Sequence, residues 1–382
     1  MKTTPWRIVA LLGLTAVLAG IFVLILEDGN VEQRDFISYW AAGHQLVQGK
    51  NPYDGAAIRK LELTAGYDQS YLLVMRNPPA ALFLAAPLGF LSPNAGFLFW
   101  MIALVASLVA SIRMLWILHG RRTDRLHLLG YCFAPVMACL MAGQFGIFLL
   151  LGIVLLLYYH KSQPVLAGAA LLLCAAKPHL LLPFGIVLLL RVFERKTYRI
   201  LAGFCAALLA SCALVFCFDI HAWSQYAREI YSAGIMDEFI PTLSGFLRLL
   251  LHRDAVWLQF LPEAAACLWA LWYFWSRRSR WDWMNQGLLL LIVSVLCAPY
   301  AWFTDEAILL PAVLAGVYRA DDAGRSLLPF GLVAGAAMIE VFVKVQMTSG
   351  WYVWTVPAWL AWYLYATRIK GIPAKGAHKS DA

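Results

Sequence analysis

The chain has 382 residues, of which 62% are apolar and only 14% charged, with a formal net charge of +8 and a mean hydropathy of +0.70. That balance excludes an ordinary soluble globular protein and a disordered one. It predicts an all-α, polytopic integral membrane protein built as a single unit over 1–382, since no polar stretch is long enough for a soluble domain.

Lys2 and Arg7 precede an apolar run over 7–26. Gly20-Ile21-Phe22-Val23-Leu24-Ile25-Leu26 follows where a cleavage site would need small residues, so the run is expected to remain as an uncleaved first span. A long first loop, 27–93, comes next. In it Asp35 heads a stretch with Phe36, Tyr39, Trp40, Gly43 and Val47 at helical spacing. This predicts an amphipathic, interfacial helix over Phe36–Val47, stopped by Asn51-Pro52 and lying in the membrane surface. Residues 79–91 are too short and Pro-flanked to cross and are expected to dip into the interface.

A crossing needs ~20 apolar residues, or fewer where neighbours shelter its ends. Clear candidates are 7–26, 94–118, 198–218, 255–276, 326–345 and 350–367. Shorter ones are 127–141, 146–159, 164–176, 178–191, 285–299 and 306–318. The expected total is about twelve, followed by a basic tail over 367–382.

Orientation follows from the basic residues. With a cytoplasmic N-terminus and alternating helices, one face collects Arg121, Arg122 and Arg125, then Lys161, then Arg191, Arg195, Lys196 and Arg199. Arg277, Arg278, Arg280, Arg319, Arg325 and the tail join them. This is the distribution of short cytoplasmic turns, with both termini cytoplasmic in a cell inner (plasma) membrane. The net charge is therefore a topology signal, and no nucleic-acid partner is implied.

The same alternation gathers the polar and Pro-marked breaks on the opposite, extracytoplasmic face. They are Asp35, Asn51-Pro52-Tyr53, Arg76-Asn77-Pro78-Pro79, Gly143-Gln144, Lys177-Pro178-His179 and Pro299-Tyr300 with Asp305. Ionisable groups at helix ends on one face suit an extracytoplasmic active site better than a conduit, which would place them near the midplane. Each break also has an ordinary structural reading. Asp35 suits a helix N-cap, although Arg34 beside it and the long following loop favour chemistry. Asn51-Pro52-Tyr53-Asp54 suits a turn, and Arg76 suits snorkelling to headgroups. Gln144 suits either a backbone carbonyl at a helix break or a polar cavity. Lys177 and His179 interrupt so apolar a setting that function is the default, and a cation there suits a phosphate. Thr304 or Asp305 could cap the helix that follows. His221, Trp223, Tyr226, Tyr231 and Trp257 suit an aromatic belt or stacking on sugar rings, the belt for most of them.

The eight cysteines lie in apolar segments without CxxC pairs and read as buried small hydrophobes. No nucleotide or metalloprotease signature occurs, and no Asp-x-Asp pair that would hold a metal with a nucleotide sugar.

Asp35-Phe36 with Tyr39-Trp40, Gly49, Asn51-Pro52-Tyr53, Asn77-Pro78-Pro79, Pro87-Leu88, Gly143-Gln144, Gly168, Lys177-Pro178-His179, and Pro299-Tyr300 with Asp305 together resemble glycosyltransferase family 87. The similarity runs from about Asp35 to Pro311, and the helices after Tyr318 carry no matching motif. The resemblance implies a GT-C-type fold and an inverting hexosyl transfer, of mannose in the family's typical members, with no metal or other cofactor. The donor would be a polyprenyl-phosphate sugar and the acceptor an envelope lipid or glycan. It also implies that Asp35 is the catalytic base. Arg34, Tyr39, Asn51, Tyr53, Arg76, Asn77, Gln144, Lys177, His179, Tyr300 and Asp305 are then candidates for holding substrate. A lipid or sugar transporter or flippase, or a non-catalytic partner in envelope assembly, would share the composition.

Overall fold

The computed structural model describes residues 35–68, 70–232, 240–343 and 350–368. The predicted first span 7–26, Arg34 and most of the basic tail lie outside the described residues. Within them every regular element is helical.

The first loop holds two helices, α1 (Phe36–Val47) and α2 (Gly55–Thr64). A chain of short helical turns follows over 79–90. Then come α3 (Pro93–Leu118), α4 (Ala134–Ala142), α5 (Gly146–Tyr159), α6 (Pro164–Ala170), α7 (Leu182–Arg195) and α8 (Tyr198–Phe218). The second loop carries α9 (Ala222–Ser232) and α10 (Leu243–Leu251). The chain closes with α11 (Leu261–Arg277), α12 (Leu288–Leu296), α13 (Leu310–Asp322), α14 (Leu328–Phe342) and α15 (Thr355–Thr367).

Every predicted span beyond the first overlaps a helical segment, but among the described residues only α3 and α8 are long and apolar enough to cross a membrane by themselves. The other segments are composites. Residues 303–322, for example, open as a 3₁₀ helix over Phe303–Leu309 and continue as α13. At ~2.0 Å and ~1.5 Å rise per residue, those twenty residues extend roughly 33 Å. Leu98, Ile102, Val105 and Val109 form an exposed apolar row along α3, and Leu209, Leu214 and Phe216 are exposed on α8. Large apolar side chains facing outward along both long helices agree with membrane association.

The structure corrects two expectations. Helix α1 has the predicted bounds, yet residues from Phe36 to Leu46 are buried almost without a break, so it is a core helix and not an interfacial one. The cause is a backbone-to-backbone contact. A Cβ on Gly43 would come 2.1 Å from the carbonyl oxygen of Ala85, and one on Gly89 would come 2.3 Å from that of Gly43. Two facing glycines let the 79–90 segment close over α1, while Phe36 and Tyr39 pack on Trp100 of α3 from the other side. The cysteines also divide: Cys139 and Cys174 are buried, whereas Cys205 and Cys217 are exposed on α8. Trp223, Tyr231 and Trp257 of the belt residues are exposed as expected, while Tyr226 packs against Tyr53.

Candidate active site

Asp35 stands at the N-cap position of α1, but its side chain makes no capping hydrogen bond. The Asp35 backbone closes the first turn, its carbonyl accepting from Ser38 Oγ and N at 2.7 and 3.1 Å. The carboxylate turns instead to Gln144, whose Nε2 donates to Oδ2. Tyr39, one turn along α1, donates its hydroxyl to Gln144 Oε1 at 2.7 Å. The amide is thereby held at both ends, with its N–H side toward Asp35. The Gln144 side chain meets two side chains, Tyr39 and Asp35, and not the backbone carbonyl offered as one of its two readings.

Local chain geometry puts Gln144 there. Gly143 has a φ of +68° just past α4 and sits so close to Phe36 that a Cβ would approach the Phe36 Cβ at 2.9 Å. The Gln144 N–H closes the helix end onto the Cys139 carbonyl at 2.9 Å, a turn that glycine at this position favours. Trp100 Nε1 fastens the same turn by donating to the Gly143 carbonyl at 2.7 Å.

The second half of the site is an ion pair. Lys177 Nζ donates to Asp305 Oδ1 at 2.6 Å, with Lys177 7% and Asp305 0% exposed. Asp305 Oδ2 accepts from the Trp302 backbone N–H at 3.0 Å, which is the capping role that the sequence left open. One expectation changes. Lys177 is not a free cation waiting for phosphate, because a carboxylate 128 positions along the chain already meets it. The Asp305 charge also reaches Asp35.

Asp35, Lys177 and Asp305 form one electrostatic cluster. Burial is the largest influence on Asp35 and pushes its carboxyl above the usual range. The Gln144 hydrogen bond and the Lys177 charge pull it down, and the Asp305 charge pushes it up again. A buried carboxylate with a raised proton affinity, held by one amide and next to one cation, is suited to accepting a proton.

The remaining candidates divide clearly. His179 lies beside this cluster, edge-on to Tyr300 with ring centroids 5.6 Å apart. Tyr300 in turn accepts a hydrogen bond from Trp302 Nε1. Asn77 and Tyr53 are tied up in structure: Asn77 Nδ2 donates to the Ala176 carbonyl at 2.8 Å, next to Lys177, and Tyr53 OH donates to the Asn77 carbonyl at 3.0 Å. Asn51 Oδ1 accepts from the Tyr53 N–H at 2.9 Å, which realises the turn reading. Arg76 is half-buried with Nε 4.0 Å from Glu229 of α9. Arg34 lies outside the described residues. Trp100 and the Trp302 amide were not anticipated as supports. A tryptophan inside a uniformly apolar helix gives no signal, and a backbone donor gives none at all.

No curated protein and no solved structure matches the chain. The model of glycosyltransferase family 87 matches residues 76–299, more than half of the sequence. Asn77, Gln144, Lys177 and His179 fall within the match, while Asp35 and Asp305 lie outside it at either end. On that match the chain belongs to glycosyltransferase family 87, and it is a glycosyltransferase.

Proposed function

We propose that this glycosyltransferase moves a hexose, with mannose the expected sugar, from a polyprenyl-phosphate donor to a lipid or glycan acceptor at the extracytoplasmic face of the plasma membrane. The composite helical segments are read as further crossings, and the basic turns hold the cytoplasmic side. In this reading Asp35 takes the proton of the acceptor hydroxyl as its oxygen attacks the anomeric carbon. The bond from that carbon to the phosphate oxygen breaks on the opposite face, its electron pair leaves with the polyprenyl phosphate, and the configuration inverts. One base suffices, and this chain's residues supply it without a metal in the reading.

Lys177 has a modified role. An ammonium carries three N–H donors, and Asp305 takes one of them, so Lys177 can meet the leaving phosphate while staying anchored. His179, beside Lys177 in the chain, is another donor of suitable chemistry, whereas Arg76 is directed to Glu229 of α9. The observation that carries the proposal is the Asp35 carboxylate: it occupies a cap position, does no capping, and is held by Gln144 inside a buried charged cluster.

Asp35→Asn tests it. Base catalysis contributes ~100- to 10,000-fold, so transfer from a polyprenyl-phosphate sugar should fall by about that factor with donor binding retained. Because burial raises the proton affinity of Asp35, the folded state resists ionisation of this group. Its contribution to stability is lost as pH rises above the ordinary carboxylate range, so the neutral asparagine should leave the melting temperature at pH 7 equal or higher. Near-normal turnover together with a lowered melting temperature would refute the assignment.

A further inference from the structure

We infer a second binding site, for the phosphate headgroup of an anionic lipid, at the far end of α3. The helix packs on Trp40 at Gly96 and ends at Leu118, roughly 33 Å away at ~1.5 Å per residue. Past that end an open surface depression is lined by Trp116, Arg121, Arg122, Thr123, Arg125, His127 and Leu128.

The three arginines are not equivalent. Arg122 is the staple of the loop: it pairs with Asp124, Asp321 and Asp322, the latter two at the end of α13, and its guanidinium lies 5.2 Å from the Tyr318 ring centre. All three nearby carboxylates are thereby directed at one guanidinium. Arg121 and Arg125 flank it with left-handed backbones, φ +54° and +62°, and are exposed at the rim, and no acidic partner meets either one among the described residues. Trp116 and Leu128 supply an apolar wall. The Trp116 indole N–H is already used by the Arg122 carbonyl at 2.8 Å, so its ring serves as surface and not as a donor.

The geometry favours a lipid over a free anion because of what leads into the depression. The exposed row Leu98, Ile102, Val105, Val109 advances by four, three and four residues, which keeps one face of α3. Continuing that face by four and then three residues gives Arg113, also exposed, and Trp116 in the wall of the depression. An acyl chain lying along the row therefore delivers its phosphate past Arg113 to Arg121 and Arg125. The site uses none of the residues assigned to transfer and stands or falls independently of that reaction.

Native mass spectrometry of the full chain in a neutral detergent tests it, with phosphatidylglycerol, the chain-matched phosphatidylcholine and inorganic phosphate as probes. Phosphatidylglycerol should be retained in preference to phosphatidylcholine, and inorganic phosphate should not displace it. The double change Arg121→Asn and Arg125→Asn suits the left-handed backbone and should weaken retention about thirtyfold, taking ~1 kcal/mol per basic residue. Arg113→Gln alone, on an exposed helix face, should weaken it about fivefold on the same basis and covers the case in which the double variant misfolds. An equal loss on removing the charges of Arg195 and Arg199, elsewhere among the basic turns, would overturn the site in favour of general charge attraction. Displacement by inorganic phosphate would overturn it in favour of a free-anion site.

Discussion

The buried pair of Lys177 and Asp305 makes a prediction that needs two readouts. Lys177→Met leaves the Asp305 carboxylate buried without its counter-ion, and Asp305→Asn does the same to the ammonium. With Lys177 7% and Asp305 0% exposed, solvent offers little relief, and each single change should cost ~3–5 kcal/mol. Asparagine retains an oxygen for the Trp302 N–H, so its loss reports the charge and not a broken turn. Removing both charges together should bring stability back to within about 2 kcal/mol of the wild type, because desolvation of the two ions disappears along with their attraction. Thermal unfolding in detergent, followed by tryptophan fluorescence, measures this cycle. The second readout is the pH dependence of transfer. Lys177 lowers the proton affinity of Asp35 and Asp305 raises it. Loss of Lys177 should therefore move the acidic limb of the rate to higher pH, and loss of the Asp305 charge should move it to lower pH. Two single variants as stable as the wild type, or two limbs moving in the same direction, would refute the reasoning.

Tyr39→Phe frees the oxygen end of the Gln144 amide, which can then flip and present its oxygen to Asp35. The acidic limb of kcat should move up in pH with KM little changed, whereas a rate loss confined to KM would make Tyr39 a substrate contact. For topology, cysteines placed at exposed Lys60 and Thr123, with Cys205 and Cys217 replaced by Ser, should respond oppositely to an impermeant thiol reagent on intact cells: Lys60 labelled and Thr123 protected. The reverse pattern would invert the proposed orientation.

The sequence carried more about helices than about how they meet. The long spans α3 and α8 were readable because apolar length alone defines them, and α1 was readable from its spacing, although the turn that ends it is made at Gly49, φ +66°, ahead of the expected Asn51-Pro52 stop. What surrounds α1 was not readable. Phe36, Tyr39 and Trp40 make the same aromatic stripe whether lipid or protein covers it, and the decision rests on Gly43 meeting Gly89, two positions 46 residues apart. The site behaved likewise. Lys177 stood out because a cation in an apolar run is costly, and its cost is met by Asp305, which lies across the fold and reads locally as a helix cap. Gln144 was visible as a polar residue after a glycine, but its two partners belong to another helix. Single positions announced themselves, and pairings between distant positions did not.

The enclosure of α1 bears on how the enzyme would respond to its host membrane. A helix floating in the headgroup layer would rise and fall with bilayer thickness and would carry its carboxylate with it. Here Asp35 is fastened through Gln144 and Gly143 to Trp100 of α3, and α1 is clasped by the 79–90 segment. The height of the Asp35 carboxylate is thus set by the protein scaffold and not by the lipid surface. On this geometry a change in acyl-chain length is expected to displace the scaffold as a body and to leave the spacing between Asp35, Lys177 and Asp305 intact.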